Sequence, residues 1–186
     1  MEVGYICVSM LTSNTLSFMQ LPRYDHYTDE SKTVFEFVSV GPKGCIRKLV
    51  EYVDTGSGNL YNLGFGDINE NDGRIDDTIV SNNGDRQKVL ATVAATVDEF
   101  TSNYPQAIIF ATGSTDARTR LYRIGIHRHL LEIQDKFAIF GYCKINYWEE
   151  FAKGKDYLAF LLTRKENRQT LWQRLQILNQ MNQTEG

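Results

Sequence analysis

Cysteine and histidine are scarce in this 186-residue sequence, which has three of each. Cys7, Cys45 and Cys143 are far apart, odd in number, and form no CxxC pair. Isolated cysteines of this kind are typical of reduced thiols in a cytosol, and they argue against a disulfide framework or a zinc site. We therefore predict a cytoplasmic protein with no bound metal.

Long hydrophobic runs are also missing, since no segment reaches the roughly 18 consecutive apolar residues of a membrane helix. We therefore predict no membrane partner. Residues 1–18 are mildly apolar but lack the basic start of a signal peptide, and Met19 opens a more typical beginning. We interpret residues 1–18 as an N-terminal extension, and an upstream start codon, which would make them non-native, is one explanation.

Excess positive charge is absent, because the formal net charge is −3 and the pI is near 5.6. This argues against a general nucleic-acid coat protein but leaves room for a local basic patch. The composition is 42% apolar and 23% charged, which is ordinary for a globular protein with a normal core. We predict one domain over residues 19–165, followed by a helical tail over residues 166–186.

The first half of the chain has the pattern of an antiparallel meander. Residues 20–33 are polar and rich in turn formers, so we predict a loop there. Short segments with alternating or β-prone residues then follow one another, separated by glycine-containing turns. The predicted strands are Val34–Val40, Cys45–Asp54, Asn59–Asp67 and Ile75–Ser81.

The second half alternates helices with strands. A helix is predicted over residues 86–104, with Asp85 as N-cap and an apolar stripe at helical spacing. The further predicted elements are a buried strand 107–111, a helix 116–136, strands 137–144 and 157–163 joined through residues 147–150, and a helix 164–183. The predicted fold is therefore α+β: a mixed, mostly antiparallel sheet with a strand–helix–strand crossover and a C-terminal helix.

The turn between strand 107–111 and the next helix is a candidate anion site. Free backbone N–H groups at a helix start suit an anion, and hydroxyls and guanidinium groups lie close by in sequence. In the other interpretation, Thr115 or Asp116 is a simple N-cap and the arginines form a solvated helix face. The candidate ligand-binding residues are Gly113, Ser114, Thr115, Arg118, Arg120 and Arg123.

The element order resembles the GNAT acyltransferase superfamily from its second strand onward. In that superfamily a glycine-rich loop binds pyrophosphate, and a later helix carries an A-x-x-L-Y motif whose tyrosine is often the general acid. The corresponding stretches here are Asn82–Lys88 and Ala117–Ile126. The resemblance implies acetyl-CoA as cofactor, Tyr122 as catalytic acid, and a phosphate loop formed by Asn83, Gly84, Arg86 and Lys88. The loop departs from the family pattern because it has a single glycine and contains Asp85.

A second resemblance is to a family of uncharacterised bacterial proteins. It covers roughly residues 20–165 and depends on three segments: GPKGCIRKLVEY, SNNGDRQKVLATVAATV and GSTDARTRLYR. It implies a bacterial cytosolic protein and no particular chemistry.

Two functions stay open on the sequence alone. The first is a non-catalytic or degenerate GNAT-like module that binds a phosphate-bearing small molecule, a nucleic acid or a protein partner. The alternative is a divergent acyl-CoA-dependent acyltransferase, and analogy with small bacterial members of the GNAT fold adds the role of a toxin–antitoxin component. The leucines of the C-terminal helix could hold a protein partner or a second copy of the chain.

Several charged residues are expected to be structurally unremarkable. We expect Lys43, Arg47 and Lys48 to protect an exposed strand edge, or else to extend a basic patch. An acidic cluster that begins at Asp67 is expected to be a solvated turn, and His127 and His129 are expected to lie on the surface.

Overall fold

The computed structural model describes residues 21–76 and 81–184, and within them it contains nine strands and four α-helices. The strands are β1 (His26–Thr28), β2 (Val34–Gly41), β3 (Gly44–Asp54), β4 (Leu60–Ile68), β5 (Ile75–Asp76), β6 (Ile108–Ala111), β7 (Phe137–Tyr142), β8 (Trp148–Glu150) and β9 (Ala159–Arg164). The helices are α1 (Arg86–Asn103), α2 (Asp116–Arg128), α3 (Leu130–Lys136) and α4 (Arg168–Thr184).

All strands join one sheet in the order β1-β2-β3-β4-β6-β9-β7-β8, with β5 paired to β4. Every pairing is antiparallel except the one between β4 and β6. That parallel pair is the crossover through α1. The predicted α+β class, the mostly antiparallel sheet and the C-terminal helix are therefore confirmed.

Alternating burial along the strands gives the sheet two different faces. In β2, Phe35, Phe37 and Ser39 are fully buried, whereas the alternate residues Val34, Val38 and Val40 are exposed. The larger core lies on the Phe35 face and takes in side chains of α1, α2 and α3. Successive strand residues point to opposite faces of the sheet. Alternate residues of β7 and β9 therefore face the larger core, and the residues between them face the opposite side of the sheet.

The C-terminal helix covers that other side. Leu171 and Leu175 of α4 are buried against Ala138, Phe140 and Leu161. The helix is therefore packed on the sheet at its β6-β9-β7 end. Leu178, the next leucine along the helix, is exposed.

The parallel strands β4 and β6 separate after a short contact. Their pairing covers only Leu60–Asn62 opposite Ile108–Phe110. Beyond this point β4 continues for six residues beside β3 and β5, whereas β6 ends at Ala111 beside β9. The gap between the two strands is where the first turn of α1 and the first turns of α2 approach each other.

Two predicted elements are wrong in extent. The strand predicted over 75–81 is limited to β5, Ser81 is outside any strand, and residues 77–80 lie outside the described chain. The helix predicted over 116–136 is broken at His129, whose φ of −112° and ψ of 21° are not helical. No proline or glycine marks this break, and its consequence is that Leu130 and Ile133 both reach the larger core.

Two short strands were missed by the sequence analysis. β1 lies within the predicted loop 20–33, and β8 lies within the predicted connection 147–150. Three residues are too few for a periodicity to be recognised, and each strand is formed by pairing with a longer neighbour.

Candidate functional site

A cavity of about 910 Å³ lies between α1 and α2 on the larger-core face of the sheet. Its floor comes from β4, β6, β7 and β9, through Leu63, Ile109, Ile139 and Leu162 among others. Its walls are the facing sides of α1 and α2, which contribute mainly aliphatic residues. Its size is at the upper end of the range in which proteins bind small molecules, and its lining is predominantly apolar, as such sites usually are.

The N-terminus of α1 opens onto this cavity without a side-chain cap. Asp85 occupies the N-cap position, but its carboxylate accepts hydrogen bonds from Ser39 Oγ at 2.6 Å and from the Tyr24 hydroxyl at 2.7 Å. The side chain of Asp85 therefore makes no bond to the helix. Among the described residues, the first-turn amides of residues 86–88 have no acceptor, so they remain available to an anion.

Tyr24 fixes this end of the cavity. Its hydroxyl oxygen also accepts a hydrogen bond from the Val40 amide at 3.0 Å, and its ring lies 3.8 Å from the Lys88 ammonium, a cation–π contact. Burial and the neighbouring Asp85 carboxylate raise the pKa of Tyr24, so the phenol stays protonated and donates its one hydrogen bond to Asp85. Lys88 is thereby positioned at the cavity wall, and Arg86 is exposed beside it.

Asn83 and Gly84, both predicted phosphate-binding residues, have clear structural roles. Asn83 is buried, donates to Ser39 Oγ and to the Gly44 carbonyl, and accepts from the Lys43 amide. These bonds fix the β2–β3 turn against the start of α1. Gly84 has a φ of +80°, a conformation that glycine adopts without strain, so the single glycine of this loop serves the turn.

A smaller cavity of about 130 Å³ brings the two predicted halves of the site together. It is lined by Arg118 and Tyr122 of α2 and by Gly84 and Arg86 from the start of α1. The two pairs of residues are more than 30 positions apart in sequence. Tyr122 also lines the large cavity, so it lies where the two cavities meet.

The turn before α2 satisfies its own polar groups. The Gly113 amide donates to Thr119 Oγ1 at 3.0 Å, and Thr115 caps the helix by accepting from the Arg118 amide at 3.3 Å. The Arg118 guanidinium donates to Ser114 Oγ at 3.1 Å. A Cβ at Gly113 would lie 2.4 Å from the Thr119 backbone nitrogen, so this glycine allows close packing of the turn on the helix. The Gly113 amide is therefore not available to an anion.

The remaining two predicted arginines lie apart from both cavities. Arg123 forms an ion pair with Asp156 and is 3.5 Å from the Lys155 carbonyl, and Arg120 is exposed. The turn that holds Asp156 is anchored by Glu149, which accepts from Lys155 Nζ at 2.7 Å and from a tyrosine hydroxyl at 2.8 Å. The geometry of Arg123 is that of a structural ion pair.

A buried ion pair beside the smaller cavity was not foreseen. Lys48 and Asp67 are 5% and 9% exposed, and the ammonium of Lys48 bonds to the Asp67 carboxylate and to Ser81 Oγ at 2.6 Å. The expectations of an edge lysine and a solvated aspartate were therefore wrong. Strand alternation could have indicated the burial, since Lys48 shares its side of β3 with Val50 and Tyr52.

His129 also departs from its expected place. His127 is exposed, whereas the side chain of His129 is only 18% exposed and lines the large cavity at the junction of α2 and α3. The spacing of the two histidines indicated that they point in different directions, but it did not show which one faces inward.

The fold and these cavities define an α+β domain with an apolar site between two helices. A family model described as "Family of unknown function (DUF6934)" matches residues 20–165, and the chain belongs to that family. No curated protein and no solved structure matches the chain. Within the described residues, no helix is long and apolar enough to cross a membrane.

Proposed function

We propose that the protein binds a small molecule that has an apolar body and an anionic, phosphate-like group. The observation that carries this proposal is the continuity of the 910 Å³ apolar cavity with the uncapped N-terminus of α1. A ligand of this kind would bury its apolar part between α1 and α2. Its anionic group would then meet the first-turn amides of α1.

The charge distribution around the cavity supports an anionic group at this end. Arg86 lines both cavities, Lys88 lines the large one, and Arg118 lines the small one. The positive end of the α1 macrodipole adds to their effect. Asp85 works against an anion, but its carboxylate is hydrogen-bonded to Ser39 and Tyr24 and does not occupy the first-turn amides of α1. The concave, mainly apolar lining favours a small molecule over a nucleic acid, which would need a basic face.

A calorimetric titration with decyl phosphate, kept below its micelle concentration, tests this proposal. Inorganic phosphate and decanol serve as controls that carry only one of the two chemical features. We expect decyl phosphate to bind more tightly than either control. Equal affinity for decanol would remove the anion site, and equal affinity for inorganic phosphate would remove the apolar one.

Two matched arginine variants locate the anionic group. Arg86→Gln should weaken decyl phosphate binding about tenfold, because one charge-assisted contact is lost. Arg120→Gln is the control, since Arg120 is also an exposed arginine but lines neither cavity. Equal losses in the two variants would mean that only general surface charge attracts the ligand.

A second candidate function is acyl transfer from acetyl-CoA, favoured by the separation of β4 and β6. A GNAT-like donor site needs a splayed pair of parallel strands, and β4 and β6 pair over only three residues each. In this protein the parallel neighbour of β6 is β4. Tyr122 lines both cavities close to this gap and would protonate the departing thiolate.

Thiol release from acetyl-CoA, measured with a panel of amine acceptors, tests this second function. Turnover that is lost in Tyr122→Phe, with coenzyme A binding unchanged, would support it. If coenzyme A produces no thermal shift while decyl phosphate does, the protein is a binding module for a different ligand.

A further inference from the structure

Gly125 is the only glycine within a helix of the described chain, and the backbone of α2 does not require it there. Its φ is negative, a conformation open to every residue type. Glycine in a helix interior is less favourable than alanine, because it loses more backbone entropy on folding. The glycine therefore lowers the stability of α2, and backbone geometry does not account for it.

The space beside Gly125 belongs to the large cavity, which Gly125 lines. A Cβ built at this position has one close neighbour outside its own stretch of helix, Leu90 Cδ1 of α1 at 3.2 Å. Leu90 also lines the cavity, and this methyl group is the end of a flexible side chain. An added Cβ would therefore displace Leu90 and narrow the space between α1 and α2. At Gly113, in contrast, the obstacle is the backbone itself.

The cavity has more room than a single alkyl chain fills. At about 30 Å³ for each water-sized group in a liquid, a volume of about 910 Å³ corresponds to roughly thirty such groups. A decyl chain supplies roughly a third of that number. Small-molecule sites usually bury most of the surface of their ligand, so an apolar body that matches this cavity is broader than one chain.

We infer that Gly125 is a specificity-determining residue, which keeps the cavity wide enough for a broad, ring-containing apolar body. This inference rests on the proposed function and deepens it: the ligand carries an anionic group near the start of α1 and a ring system between α1 and α2. The bare backbone of Gly125 and the side chain of Leu90 bound the width available to the rings. With a Cβ at position 125, the cavity would accept only narrower, flexible bodies.

Calorimetric titration of the wild type and Gly125→Ala with 2-naphthyl phosphate and decyl phosphate tests the inference. The two probes have the same number of carbon atoms and the same anionic group, and they differ in the width and rigidity of the apolar body. In Gly125→Ala, the affinity for 2-naphthyl phosphate should fall about 5- to 150-fold, the effect of overpacking by one methyl group. The affinity for decyl phosphate should change less than about twofold, because a flexible chain bends around the methyl group.

Thermal denaturation of the same variant separates this role from simple helix packing. Without ligand, Gly125→Ala should raise the thermal midpoint by about 1–4 °C, since alanine favours the helix and only a movable side chain must shift. His127→Ala is the matched control, because His127 is exposed on the same helix and lines neither cavity. It also adds a better helix former, and it should leave both affinities unchanged.

The possible outcomes separate this inference from the proposed function. If decyl phosphate binds the wild type and 2-naphthyl phosphate does not, or if Gly125→Ala affects both probes equally, Gly125 has no such role and the proposed function stands. A lower thermal midpoint in Gly125→Ala, or the same loss of selectivity in His127→Ala, would also overturn the inference. If neither probe binds the wild type, both proposals fail.

Discussion

The buried pair Lys48–Asp67 allows a sharp test of how this domain tolerates charge in its interior. Their side chains are 6% and 12% exposed, and the Lys48 ammonium has two bonded acceptors, Asp67 and Ser81. Lys48→Met would leave the Asp67 carboxylate buried without its cation. Asp67→Leu would leave the ammonium with only the Ser81 hydroxyl of these two acceptors. Each single replacement therefore leaves an uncompensated buried charge.

We expect each single replacement to lower the free energy of unfolding by about 3–5 kcal/mol, the usual cost of breaking a buried pair from one side. This is a large part of the 5–15 kcal/mol that a domain typically has. The double variant Lys48→Met/Asp67→Leu should instead recover to within about 1 kcal/mol of the wild type. In that variant no charge is left buried, and the two apolar side chains face each other across β3 and β4.

Urea denaturation of the four proteins, followed by circular dichroism and fitted with a common m-value, measures these free energies. The coupling energy from the double-mutant cycle is the decisive quantity. A double variant that loses the sum of the two single costs would show that the side chains do not interact. Single costs below about 1 kcal/mol would show that the pair is solvated.

Three further predictions concern the C-terminal helix, the turn before α2 and the response to pH. Leu175→Ala should cost about 2–5 kcal/mol in urea denaturation, since Leu175 is 2% exposed, whereas Leu178→Ala, at 46% exposed, should cost much less; equal costs would mean that α4 is not packed. Gly113→Ala should lower the thermal midpoint, because the added Cβ meets the backbone of α2, and an unchanged midpoint would refute that contact. Burial acts to raise the pKa of Glu149, but hydrogen bonds from Lys155 and a tyrosine outweigh it and depress that pKa. Its stabilisation is therefore present above the unfolded pKa of about 4.3 and lost as the pH falls through the lower folded value; Glu149→Gln should flatten this acid-side loss, and an unchanged pH profile would contradict it.

Much of the fold could be predicted from local sequence patterns. The alternation in β2, the apolar stripe of α1 and the continuous apolar run of β6 each predicted their element correctly. These signals are local because the side chains concerned are neighbours in sequence, and periods of 2 and 3.6 residues directly report which face is buried. The order of elements then restricted the topology to an α+β sheet with one crossover.

The candidate site could be predicted only in part from the sequence. The two stretches that carry Arg86 and Arg118 were recognised separately, and the smaller cavity joins them. The cavity itself and the bonds that occupy the Gly113 amide depend on how α1 and α2 pack on the sheet. No local sequence pattern encodes the position of α1 relative to α2.

The sequence by itself determined the elements, their order and the fold class, because these follow from backbone preferences and from burial repeated along short segments. The tertiary structure decided the separation of β4 from β6, the helix break at His129 and the partnership of Lys48 with Asp67. Each of these depends on contacts between residues far apart in sequence or on the packing of a whole element. Their free energies arise only when the sheet register and the helix positions are set together.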